Sequence, residues 1–100
     1  MSLKLIVRPE AERDIFNAAL WYEGRDVGLG LEVTAEIQAA IERALGNPLA
    51  NLLLRKHPQI RRILARRFPY RIFYSIRPDA LVVFAVLHAA RDERNWLKRL

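Results

Sequence analysis

One hundred residues with 52% apolar side chains, no cysteine and a net charge of +6 make a single domain, expected to span residues 1–100, with enough chain to bury a core. The missing cysteine excludes disulfides and thiolate metal sites and suits a reducing, cytoplasmic setting. No apolar run approaches the roughly 20 residues of a membrane helix, so no membrane association is expected. The charge is unevenly placed. Residues 1–50 hold five Lys/Arg against eight Asp/Glu, net −3, and residues 51–100 hold twelve against three, net +9. Between Glu42 and Asp79 the chain has nine basic residues and no acidic one, a field that attracts polyanions or an acidic protein.

Leu3 to Arg8 reads as a short strand that stops at Pro9, a residue suited to the first turn of a helix. In that helix Ala11, Ile15, Ala18, Ala19 and Tyr22 keep the spacing of a buried stripe, while Glu10, Glu12 and Asp14 suit the positive end of its dipole. Gly24 ends it, and a short connection to Gly28 makes the next helix an antiparallel neighbour. The second helix runs from about Leu29 to Leu45 with Val33, Ile37, Ala40, Ile41 and Ala44 on one side, and a left-handed cap at Gly46 followed by Pro48 closes it. From Asn47 to Gln59 the pattern is ambiguous: Leu49 and Leu52 to Leu54 suit either a helical turn or a loop tucked under the helices.

Three consecutive strands follow. In the middle one Tyr70, Ile72, Tyr74 and Ile76 fall on one face, and Arg71, Phe73, Ser75 and Arg77 on the other. Arg77-Pro78-Asp79-Ala80 supplies a turn, and the run Leu81 to His88, apolar on both faces, is an interior strand. Asp92 then caps a last short helix carrying Trp96, Leu97 and Leu100, with Lys98 and Arg99 at its negative end. The fold class is therefore α+β: strand, two helices, three strands and a short C-terminal helix, with the helical hairpin on one face of a mostly antiparallel four-stranded sheet. Few elements remain to cover the other face, so Arg71, Phe73, Ser75 and Arg77 are expected to line an open basic surface. On the preceding strand, Arg62 with Arg66 and Arg61 with Arg67 alternate equally well with apolar residues. The sequence does not choose between the two sets.

Several chemistries find no support. His57 and His88 are the only histidines and have no partner ligand at helical spacing, so neither metal nor cofactor is expected. No glycine follows a strand to make a phosphate loop, and Ser75 lies mid-strand without a nucleophile elbow. A metal-independent ribonuclease needs a base, an acid and cations; arginine serves only as the cation, leaving Lys56, His57, Tyr70, Tyr74 and His88 as proton carriers. Trp21 and Trp96 read either as exposed anchors or as packed residues that pin helices to the body.

The segments Arg67 to Tyr74 (RFPYRIFY), Val86 to Asp92 (VLHAARD) and Pro9 to Ile15 (PEAERDI) resemble the ParE/RelE superfamily of bacterial toxins over nearly the whole chain. The resemblance implies the toxin half of a type II toxin–antitoxin pair of the plasmid stabilisation kind. Its partner would be a small antitoxin whose acidic C-terminal segment folds as it wraps the toxin. The RelE-like branch cleaves messenger RNA on the ribosome and uses a tyrosine or histidine near the C-terminus; here Arg94 and Asn95 stand where that tyrosine is expected, leaving His88, with Arg71, as the alternative catalytic set. The ParE-like branch poisons DNA gyrase, and the patterns in this chain stand closer to it. In either branch the residues expected to bind antitoxin or target are Arg61, Arg62, Arg66, Arg67, Arg71, Arg77 and Arg91. Truncating a buried arginine of such a surface costs on the order of 2 kcal/mol of binding, and a rim arginine little. A plain nucleic-acid-binding module, or a toxin fold that serves only as a scaffold, are the readings from other classes.

Overall fold

The computed structural model describes residues 3–91 and 93–100. The expected Asp92 cap lies outside them. Strand β1 (Lys4–Val7) leads into helix α1 (Pro9–Glu23), and helix α2 (Leu29–Gly46) returns beside it. A 3₁₀ turn (Pro48–Ala50) precedes strands β2 (Leu52–Arg55), β3 (Gln59–Leu64), β4 (Tyr70–Ile76) and β5 (Ala80–His88), and a 3₁₀ segment (Glu93–Arg99) ends the chain. The α+β expectation holds, with one strand more than the sequence suggests. The sheet order is β1-β5-β4-β3-β2, all neighbours antiparallel except the parallel pair β1–β5. The ambiguous leucine run is the added edge strand: Leu52 stands opposite Arg62 and Leu53 opposite Arg61. As an edge strand it exposes residues of both faces, which erases the alternation a half-buried strand would print in the sequence.

The helical hairpin packs as the stripes predict. Ala11 and Ala18 of α1 and Val33, Ile37, Ala40, Ile41 and Ala44 of α2 are buried against Ile63, Ile72, Tyr74, Leu81, Val83 and Val86. Four of those seven helical residues are alanine, which lets the helices approach the sheet closely. The turn between the helices depends on Gly28, whose φ of 95° suits a residue without a Cβ. Glu23 fixes it by accepting hydrogen bonds from the Gly28 and Gly30 amides at 3.0 Å each, and these bonds, Gly28 first, lower its carboxyl pKa. A Cβ on Gly30 would come within 2.8 Å of the Ala19 carbonyl, so the helices meet closely there. The left-handed cap expected at Gly46 is not formed; the chain leaves α2 through Asn47 at φ −151°.

The second sheet face departs from expectation. Phe73 and Ser75 are buried, at 0% and 4% exposure, and the C-terminal 3₁₀ segment folds back over Phe73. Trp96 stacks on Phe73 with ring centroids 6.3 Å apart and meets Phe84 edge-on. Between Phe73 and Tyr74 the β4–β5 register slips by one residue, a bulge that turns both Phe84 and Ala85 into this second core with Ile60 and Leu87. Arg99 holds the cover down. Its Nη2 donates to Asp14 Oδ1 at 3.0 Å and its Nη1 to both Asp14 Oδ2 and the Phe84 carbonyl. The Asp14 hydrogen bond keeps the Arg99 pKa above its ordinary value. Asp14 also accepts the Val86 amide at 2.8 Å, which β1, ending its pairing at Val83, leaves unpaired.

Candidate partner-binding surface

Toward the β2 edge, the second sheet face has its own chemistry. The registers place Leu52 beside Arg62 and Arg62 beside Phe73 in one row, and Leu64 beside Arg71 and Arg71 beside Leu87 in the next. Directly opposed residues stand about 5 Å apart, so these four side chains form one patch. Leu52 and Leu64 are each 52% exposed, large apolar groups at the rim of two partly buried arginines. Arg71 is steadied by a bond from Nη1 to the Ala89 carbonyl at 3.1 Å. Burial first, and the charge of Arg71 second, lower the Arg62 pKa. Two arginines thus lie in neighbouring rows of a surface with apolar flanks, which favours an anionic, partly apolar occupant.

The remaining arginines are dispersed. Arg61 turns to the helical side, where its guanidinium binds the Leu49 and Asn51 carbonyls and Gln59 Oε1 and ties the turn before β2 to β3. Arg66 and Arg67 lie in the turn between β3 and β4: their amides both donate to Glu36, and the Arg67 side chain pairs with Glu32 at 3.0 Å. Arg77 shares the face of Arg71 but lies past the far end of β4. Arg91 lines a cleft against α1 with Trp21, Tyr70 and His88. The expectation of one continuous surface carrying all seven arginines is corrected accordingly: Arg62 and Arg71 share the patch, and the covering Trp96 occupies the middle of the face. Of the two alternating sets, Arg62 is the member of β3 on this face, and Arg66 lies beyond the strand.

The proton carriers are no better assembled. His88 stands opposite Tyr70 and Arg71 opposite Leu87, so the histidine and the arginine of the alternative catalytic set face opposite sides of the sheet. His88 accepts the Ala90 amide on Nδ1, and its ring meets Tyr70 edge-on. Burial raises the pKa of Tyr70 and of Tyr74, and the Tyr74 hydroxyl is engaged by the Pro48 carbonyl and Asn51. Lys56 and His57 are exposed in the turn between β2 and β3. Among the described residues no group of three acidic or histidine side chains is placed to hold a metal, and no helix is long and apolar enough to cross a membrane. Trp96 is buried, whereas Trp21, 53% exposed, packs on its own helix against Tyr22 with Arg25 over its ring.

A family model, described as the ParE toxin of the type II toxin–antitoxin system parDE, matches residues 5–93. The chain belongs to the ParE toxin family. Among solved structures, a chain of the chromosomal ParDE toxin–antitoxin system from P. aeruginosa superposes with a TM-score of 0.76 over 87% of this chain and 96% of that one, at 11% identity. At that identity the likeness is one of fold. No curated protein sequence matches. Membership in the ParE family implies a cognate antitoxin as partner. Sequence reasoning missed two residues of the patch in this ParE-family chain, Leu52 and Leu64: the first belongs to a strand without alternation, and the second ends β3, where nothing local marks its exposure.

Proposed function

We propose that this ParE-family toxin acts in the cytoplasm by binding and inhibiting DNA gyrase, and that a small acidic antitoxin of the same plasmid-stabilisation type of system neutralises it. The antitoxin segment would lie on the Leu52–Arg62–Leu64–Arg71 patch, neutralising the two guanidiniums and burying both leucines as it folds. One observation carries this reading: two partly buried arginines in neighbouring rows of a patch whose flanks are half-exposed leucines. Gyrase is supported by the ParE family match and by the placement of His88 and Arg71, the alternative catalytic set, on opposite faces.

Expression without an antitoxin, followed by isolation of DNA and RNA, tests this. Gyrase trapped in cleavage complexes on DNA is the expected outcome, with purified toxin blocking supercoiling in vitro. Codon-position cuts in messenger RNA with gyrase unaffected would overturn it. The His88→Ala variant is expected to remain as toxic as the parent.

A further inference from the structure

The opposite end of the same sheet face carries a feature that antitoxin binding leaves unused. Arg8, which precedes α1, Arg55, the last residue of β2, and Arg77, just past β4, line one cleft of about 270 Å³. Buried Ile60, Ser75 and Phe84 form its floor and Leu100 part of its wall; among the described residues no acidic side chain lines it. Arg8 and Arg55 follow or end the two edge strands and Arg77 follows a central one, so sheet order, not local sequence, brings the three together. Among the described residues none of the three guanidiniums makes a hydrogen bond or an ion pair.

Three like charges around one small cleft repel, and only an anion with several charged oxygens spread over more than one centre answers all three. A single carboxylate engages one guanidinium fork, whereas linked phosphates offer bidentate acceptors to each rim. The cleft is smaller than the roughly 300–1,000 Å³ typical of pockets that enclose a whole drug-sized ligand. It has room for a charged head group, with any larger body left toward the apolar wall. We propose that this cleft binds a small anion bearing a pyrophosphate group, either free or as the tail of a nucleoside diphosphate. The site is separate from the Arg62–Arg71 patch, so it stands or falls independently of the antitoxin reading.

Titration calorimetry of the whole protein in magnesium-free buffer at matched ionic strength tests it, with inorganic pyrophosphate, ADP and oligothymidylate as probes. Pyrophosphate and ADP are expected to bind one per chain, and Arg55→Gln or Arg77→Gln to weaken both by roughly tenfold or more, while Arg25→Gln, an equal loss of charge elsewhere, leaves them within about twofold. Tighter binding of ADP would assign the Ile60–Phe84–Leu100 surface to the nucleoside; equal binding would confine recognition to the phosphates. Circular dichroism identifies either variant that fails to fold, and the other then carries the test. Absence of binding by both anions, equal weakening by Arg25→Gln, or tighter binding of oligothymidylate at the same cleft would overturn the proposal, the last making it a nucleic-acid contact.

Discussion

The two faces of the sheet are both buried, by different means. One is covered by thirty-odd residues of regular helix whose alanines and branched residues repeat at helical spacing. The other is covered by a seven-residue 3₁₀ segment in which a buried indole does most of the packing and an ion pair, Arg99 with Asp14, fastens it to α1. Loss of one residue from the first face is shared among many neighbours; loss of Trp96 or Asp14 removes the second cover's anchor or its clasp. That difference also leaves the two faces unlike as surfaces. The helical face offers its outer surface only, whereas the second face leaves bare both a cationic patch toward β2 and a cationic cleft at the far end of β4.

The largest effect is expected of Trp96→Ala, about 3–5 kcal/mol in urea unfolding, because it opens a cavity over Phe73 and Phe84. A smaller loss would mean the second core is not a cooperative part of the fold. Asp14→Ala comes next, at about 2–3 kcal/mol, since it leaves Arg99 without its carboxylate and the Val86 amide without an acceptor. Hydrogen exchange at the Val86 amide in that variant is expected to rise more than exchange elsewhere in β5. Replacing Leu52 and Leu64 together by alanine is expected to leave the unfolding midpoint nearly unchanged and to cost about 1–2 kcal/mol of antitoxin binding, the worth of their exposed apolar area. The smallest effect belongs to Glu23→Gln, at the tip of the helical hairpin. The folded-state pKa of Glu23 is depressed, so its contribution is complete above the ordinary carboxyl range and disappears as pH falls through the folded pKa. Parent and Glu23→Gln unfolding curves should therefore differ at neutral pH and converge in acid.

Much of the first face was legible in the sequence. Pro9 marked the start of α1, both buried stripes were spaced as found, and alternation in Tyr70 to Ile76 named the core-facing residues of β4. The second face was not legible, for physical reasons. Phe73 and Ser75 alternate like surface residues, and a non-periodic tail returns to bury Phe73. Nothing before the fold connects Asp14 with Arg99, which lie at opposite ends of the chain. The arginine set was read as one surface because charge is counted along the chain, while register sent Arg61 to the helices and the turn sent Arg66 and Arg67 toward α2. Arg62 and Arg71 come together through strand pairing alone.

The most direct measurement is the affinity of the cognate antitoxin for Arg71→Ala and Arg66→Ala side by side, at fixed ionic strength. Each variant loses one positive charge, but only Arg71 lies on the patch beside Arg62. The account predicts a loss of about 30-fold or more for Arg71→Ala, equivalent to about 2 kcal/mol, and little change for Arg66→Ala. Equal losses in the two variants would mean that the antitoxin responds to overall charge, and would contradict the Arg62–Arg71 patch as its seat.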